Sequence, residues 1–131
     1  MSTDPARPAI VIAEDDEDIA RLLAEAFAAE VGADPVVVTN GALVIDAVVA
    51  CAARLLVLDV QMPGASGIDV YDVVRGHPAL AEIPVLFVTA DPVAARETLP
   101  GRAPRVVVGK PFEIDALLAK VRELLGNAVR A

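Results

Sequence analysis

The chain has 131 residues, is 56% hydrophobic and carries a formal net charge of −8. That length suits one domain with a proper core, and that apolar share excludes an intrinsically disordered chain. The acidic balance argues against direct nucleic-acid binding, and no apolar run approaches the roughly 20 residues of a membrane span.

The opening stretch, Met1 to Pro8, lacks the layout of a signal peptide: the apolar run after it is short and turns acidic at once. A cytoplasmic protein is expected. The first strand is expected at residues 9–13 and runs directly into Glu14-Asp15-Asp16-Glu17-Asp18. Asp16, Glu17 and Asp18 suit a helix N-terminus, where acids complement the dipole and cap free N–H groups. Glu14 and Asp15 sit at the strand end, where that explanation does not reach. Ile19, Leu22, Leu23, Ala26 and Phe27 then recur at helical spacing, and Gly32 suits the stop. A second strand is expected at 36–39. A second helix follows at about 41–51, with Val44, Ala47, Val48 and Cys51 on one face. Cys51 is the only cysteine, which rules out an internal disulfide framework, and its spacing favours burial over reactivity.

The third apolar run, Leu55-Leu56-Val57-Leu58, ends in Asp59 and opens the turn Val60-Gln61-Met62-Pro63-Gly64. A third helix is expected at about 67–75. His77, the only histidine, lies in the turn Gly76-His77-Pro78 and reads as a loop residue. A fourth strand at 84–89 ends in Thr89. A short helix at about 92–98 is bracketed by Pro92 and Pro100. The fifth strand, at 105–108, runs through Gly109 into Lys110-Pro111. The last helix, at about 113–125, aligns Ile114, Leu117, Leu118, Val121, Leu124 and Leu125. The ends, before about Arg7 and after about Gly126, are expected to be loose.

Five alternating strand–helix pairs with short links predict an α/β fold: a doubly wound parallel sheet with helices on both faces. Such a sheet carries its site outside the carboxyl ends of its strands, where Asp15, Asp59, Thr89 and Lys110 all fall. Glu14, Asp15 and Asp59 offer oxygen ligands to a hard divalent cation such as Mg²⁺. A carboxylate can also act as a nucleophile and form an aspartyl phosphate. Phosphoryl transfer then needs a cation and hydrogen-bond donors on the phosphoryl oxygens, which Lys110 and Thr89 can supply. Each residue alone has a plain structural explanation: a turn cap, a strand threonine, a surface lysine. All four at strand ends do not. Lys110 is followed by Pro111, so it belongs to no P-loop. One histidine and one cysteine leave zinc sites and Ser/His or Cys/His triads without parts.

These segments resemble the receiver domains of two-component response regulators, of the single-domain, chemotaxis-regulator-like kind. The resemblance rests on Val11 to Asp16, on Leu58-Asp59-Val60-Gln61-Met62-Pro63-Gly64 with Gly67, on Val88-Thr89-Ala90, and on Lys110-Pro111-Phe112. It covers residues 9 to 125 and implies one receiver domain over 1–131, with a core at about 9–125. The implied fold is flavodoxin-like, a (βα)5 five-stranded sheet in the order 2-1-3-4-5.

The resemblance also implies roles. Asp59 resembles the phosphate acceptor. Asp15 resembles the direct Mg²⁺ ligand of the acidic pair, and Glu14 the member acting mostly through water. Gln61 matches the position whose backbone carbonyl binds the metal. Thr89 matches the hydroxyl that turns toward the phosphate. Lys110 matches the lysine that pairs with it, before a cis bond to Pro111. Where the family often carries Tyr or Phe, three residues before the lysine, this chain has Val107.

The expected function is a phosphorylation-activated signalling switch, with a histidine kinase or histidine phosphotransfer protein as donor and an unknown protein as downstream target. It is not expected to be an enzyme, beyond assisting its own phosphorylation and dephosphorylation. One alternative is an Mg²⁺-dependent aspartyl-phosphate phosphatase. Such an enzyme usually needs an acid two residues after the nucleophile, where this chain has Gln61, and no cap segment is evident. A phosphate-independent docking module is the other, although none of the acids, the acceptor or the lysine is missing. No output domain follows Leu125, so the chain is expected either to act alone or to be a piece of a longer protein.

Overall fold

Each apolar run of strand length becomes a strand of one parallel sheet, in a computed structural model that describes residues 7–93, 95 and 105–129. The strands are β1 (Ala9–Ala13), β2 (Asp34–Val38), β3 (Leu55–Asp59), β4 (Val85–Thr89) and β5 (Arg105–Gly109). The α-helices fully within the described residues are α1 (Glu17–Ala26), α2 (Val44–Cys51), α3 (Gly67–Gly76) and α4 (Ile114–Val129). The strand order is β2-β1-β3-β4-β5, as expected from the resemblance.

The central strands are buried on both faces, which explains why they read as continuous apolar runs and not as alternation. Along β3, Leu56 and Leu58 face one layer, shared with Val44 and Val48 of α2 and Val70 and Tyr71 of α3. Leu55 and Val57 face the other, shared with Leu23 of α1, Phe27, and Leu117 and Val121 of α4. The period of two along a strand therefore divides one hydrophobic run between two cores.

Polar residues set where the helices begin. Asp16 caps α1, its side chain accepting from the amides of Asp18 at 3.0 Å and Ile19 at 3.2 Å. Ser66 caps α3 by accepting from the Asp69 amide at 3.2 Å. After α1 the chain continues through a π-helical turn, Phe27–Val31, and stops at Gly32, whose φ of 70° is left-handed.

Several boundaries differ from expectation. Strand β2 starts at Asp34, before Pro35, because it is an edge strand and an edge tolerates a residue without an N–H. The second helix opens as a 3₁₀ turn, Gly41–Leu43, before α2 begins. Helix α4 continues past Gly126 to Val129. Of the expected fourth helix, residues 92, 93 and 95 are helical and the remainder lies outside the described residues, as do residues 1–6.

The burial pattern separates two large apolar side chains. Phe27 is fully buried, whereas Leu43 is exposed. Phe27→Ala should lower unfolding free energy by about 3–5 kcal/mol, and Leu43→Ala should change it by less than about 0.5 kcal/mol. Urea titration measures both; equal losses would contradict the packing.

Candidate functional site

The parallel register aligns the strand ends. Ala13 is opposite Leu58, Asp59 opposite Val88, and Thr89 opposite Gly109. Glu14, Asp59, Thr89 and Lys110 are thereby brought to one edge of the sheet. Tyr71 aside, the buried polar or charged residues among those described are Glu14, Asp59 and Thr89. Since polar groups are ordinarily kept out of a core, three buried at one edge mark a place built for chemistry.

Each is held by named partners. The Glu14 amide donates to the Val38 carbonyl at 3.0 Å, prolonging the β1–β2 pairing by one residue. One Glu14 carboxylate oxygen accepts from the Asp16 amide at 3.2 Å, and the other lies 2.8 Å from Lys110 Nζ. The same Nζ lies 3.3 Å from Asp59 Oδ2, and Asp59 Oδ1 accepts from the Gln61 amide at 3.0 Å. The Thr89 hydroxyl accepts from the Asp91 amide at 3.1 Å, and the Thr89 carbonyl accepts from the Lys110 amide at 2.7 Å. The Lys110–Pro111 bond is cis, as the resemblance implies.

Burial is the main force on Glu14. It disfavours the charged carboxylate, and the adjacent Asp59 adds to the effect. Lys110 and the Asp16 amide oppose it, and the balance raises the Glu14 pKa to about 7. Burial likewise disfavours the charge on Lys110, but Glu14 and Asp59 outweigh it and raise that pKa. Two carboxylates and one ammonium are an excess of negative charge in a partly buried place.

Glu14, Asp15 and Asp59 each offer a carboxylate oxygen within 4.8 Å of one another, with Asp15 exposed and the other two buried. That hard-oxygen donor set, open on one side, fits a cation such as Mg²⁺ that keeps part of its water shell. All of the expected site residues meet here, and Gln61 is tied to Asp59 through its backbone. His77 is a half-buried turn residue, its Nδ1 accepting from the Ala79 amide at 3.2 Å. Cys51 is partly buried, and burial pushes its thiol pKa up. Nothing in the sequence marks Asp16 as a site partner, because the group concerned is its backbone N–H. Nor does any periodicity announce the packing of Pro92 on Gly109.

Residues 10–122 match the family described as the response regulator receiver domain. An uncharacterized transcriptional regulatory protein of Bacillus subtilis, YkoG, is 34% identical over 88% of this chain and 50% of its own length. The DNA-binding response regulator MtrA of Mycolicibacterium smegmatis is 34% identical over 93% of this chain and 52% of its own. The chain thus spans about half the length of these curated relatives. Among solved structures, the signal receiver domain of a Syntrophus aciditrophicus histidine kinase superposes with a TM-score of 0.83 at 28% identity. That match covers 95% of this chain and 94% of the other. The response regulator TrrA of Thermotoga maritima, in complex with Mg²⁺ and BeF, gives 0.78 at 28% identity, over 89% of this chain and 98% of its own.

Glu14 yields a pH prediction. Its ordinary pKa of 4.5 applies to the unfolded chain and the raised value of about 7 to the native one. Between those values the native state binds more protons, so this group's contribution to stability falls as pH rises through the window. Without metal, the stability of wild type relative to Glu14→Gln should therefore decline from pH 4.5 to 7 and level off above. Urea midpoints of both proteins across that range decide it; a difference that is flat or rising would be incompatible with the assignment.

Proposed function

The chain belongs to the response regulator receiver domain family, and from that premise we propose that it is a switch that accepts a phosphoryl group on Asp59. The observation that carries this reading is the partly buried contact of Lys110 with both Glu14 and Asp59, beside the exposed Asp15. We take residues 9–125 as the core of one receiver domain. Helices long and apolar enough to cross a membrane are absent among the described residues.

In the proposed reaction a carboxylate oxygen of Asp59 attacks the phosphorus of a phosphohistidine on a histidine kinase or phosphotransfer protein. The new O–P bond forms as the N–P bond breaks, and the imidazole nitrogen keeps that electron pair. Glu14, Asp15 and Asp59, with the Gln61 backbone, would hold Mg²⁺, which when bound neutralises charge on the phosphoryl oxygens. Glu14 and Asp59 keep Lys110 protonated at the acceptor before the phosphoryl arrives. The added anion then competes with Glu14 for the ammonium. The Thr89 hydroxyl accepts from Asp91 at rest and can turn its own proton toward a phosphoryl oxygen. Release of either tie alters the segment after Thr89, the proposed output of the switch.

MtrA and GltR of Pseudomonas aeruginosa are named as a DNA-binding and a transcriptional regulator, and this chain matches about half of each. With a net charge of −8, this domain is better suited to a protein target than to DNA. The relatives are signalling proteins, and the product proposed here is a conformational state, not a released metabolite.

With acetyl phosphate and Mg²⁺, intact mass should rise by one hydroxylamine-labile phosphoryl group, absent in Asp59→Asn. Persistent phosphorylation of that variant would remove Asp59 as the acceptor. Asp15→Asn should weaken Mg²⁺ binding, measured by calorimetry, by about tenfold or more. Unchanged affinity in both Asp15→Asn and Asp59→Asn would place the metal elsewhere.

A further inference from the structure

The two groups proposed to meet the phosphoryl oxygens, Thr89 and Lys110, are bound to each other through the backbone. The Lys110 amide donates to the Thr89 carbonyl at 2.7 Å. The Thr89 hydroxyl is held by the Asp91 amide at 3.1 Å, and the Asp91 carbonyl accepts from the Ala95 amide at 3.2 Å. Within this chain of contacts the Pro92 ring lies directly on Gly109. A Cβ at residue 109 would sit 3.1 Å from Pro92 Cγ, 3.5 Å from Cδ and 3.8 Å from Cβ. Among the described residues the positive-φ glycines are Gly32 and Gly64, so what glycine provides at 109 is space, not a special backbone conformation. The residue that leaves this space is the one immediately before Lys110, at the end of β5.

We infer that Gly109 is a positioning residue: it is the socket in which Pro92 seats the segment after Thr89, keeping the Thr89 hydroxyl engaged by the Asp91 amide at rest. The inference rests on the reading of Asp59 as phosphoacceptor. Turning the hydroxyl to a phosphoryl oxygen requires this seat to yield. Its tightness thus sets the balance between the resting arrangement and the phosphate-bound one. A methyl at 109 would crowd Pro92 and loosen the seat, and loosening it favours the phosphate-bound arrangement. Shortening Pro92 to alanine loosens the seat as well. It also leaves the two side chains in ordinary contact, so a methyl at 109 then has nothing left to disturb.

The test uses the whole chain as wild type, Gly109→Ala, Pro92→Ala and the double variant. In metal-free buffer, NMR should show faster hydrogen exchange of the Asp91 amide in each single variant. Beryllofluoride with Mg²⁺ is the probe for the second readout. Gly109→Ala should tighten its apparent affinity by about threefold or more. In the Pro92→Ala background the same substitution should change affinity by less than about twofold. That loss of effect is a coupling that general destabilisation would not produce. Equal effects in the two backgrounds, or unchanged Asp91 exchange, would overturn the inference. Should Gly109→Ala fail to fold, Pro92→Ala alone must still speed Asp91 exchange and tighten beryllofluoride binding, or the inference falls. A wild type that does not bind beryllofluoride would instead sink the phosphoacceptor reading, with Asp91 exchange still judging the seat.

Discussion

Everything at the carboxyl edge of the sheet depends on one ammonium group. Lys110 Nζ stands 2.8 Å from Glu14 and 3.3 Å from Asp59, two carboxylates drawn from different strands and almost wholly buried. Without it, two like charges would share a place where water cannot screen them. The sheet register determines that this single cation can reach both, because β1, β3 and β5 end at nearly the same level. One cation for two acids leaves the site short of positive charge. That shortfall is what a divalent metal would correct, and burial in the same place raises the Glu14 pKa.

The fold was legible because buried parallel strands write themselves as uninterrupted apolar runs, and the charged residue that follows three of those runs is conspicuous. Asp59 after Leu58 and Lys110 after Gly109 could be placed for that reason alone. The start of β2 could not. Proline argues against a strand, and only the position of β2 at the sheet edge removes the objection at Pro35. The end of α4 is obscured for a related reason: Gly126 suggests a stop, yet the helix carries on to Val129. The seat of Pro92 on Gly109 was invisible for a third reason. It joins residues far apart in the chain through shape, and shape complementarity leaves no periodic mark.

Val107 occupies the position at which the resemblance leads to an expectation of Tyr or Phe. Here it is buried opposite Phe87 in the sheet. Phe87 in turn packs against Tyr71 of α3, their ring centroids 5.3 Å apart, and the Arg75 guanidinium lies 4.8 Å above the Tyr71 ring. The aromatic mass of this layer therefore comes from α3 and β4 and not from β5. A β-branched residue at 107 has little rotational freedom. In the proposed switch the rearrangement then falls to the Thr89 hydroxyl and the Asp91 amide that holds it.

The ladder at the other edge of the sheet has a different consequence. Asp34 donates to Pro8, and Val38 accepts from Glu14, so the even-numbered residues of β2 direct their backbone groups toward β1. By alternation, Pro35 and Val37 direct theirs outward. Proline has no N–H, which leaves Val37 as the lone outward donor along β2. An extended segment from another molecule would find half a ladder there. Growth of the sheet on that side is thus weakened by a single proline, and two such molecules meeting at high concentration gain less by pairing these edges.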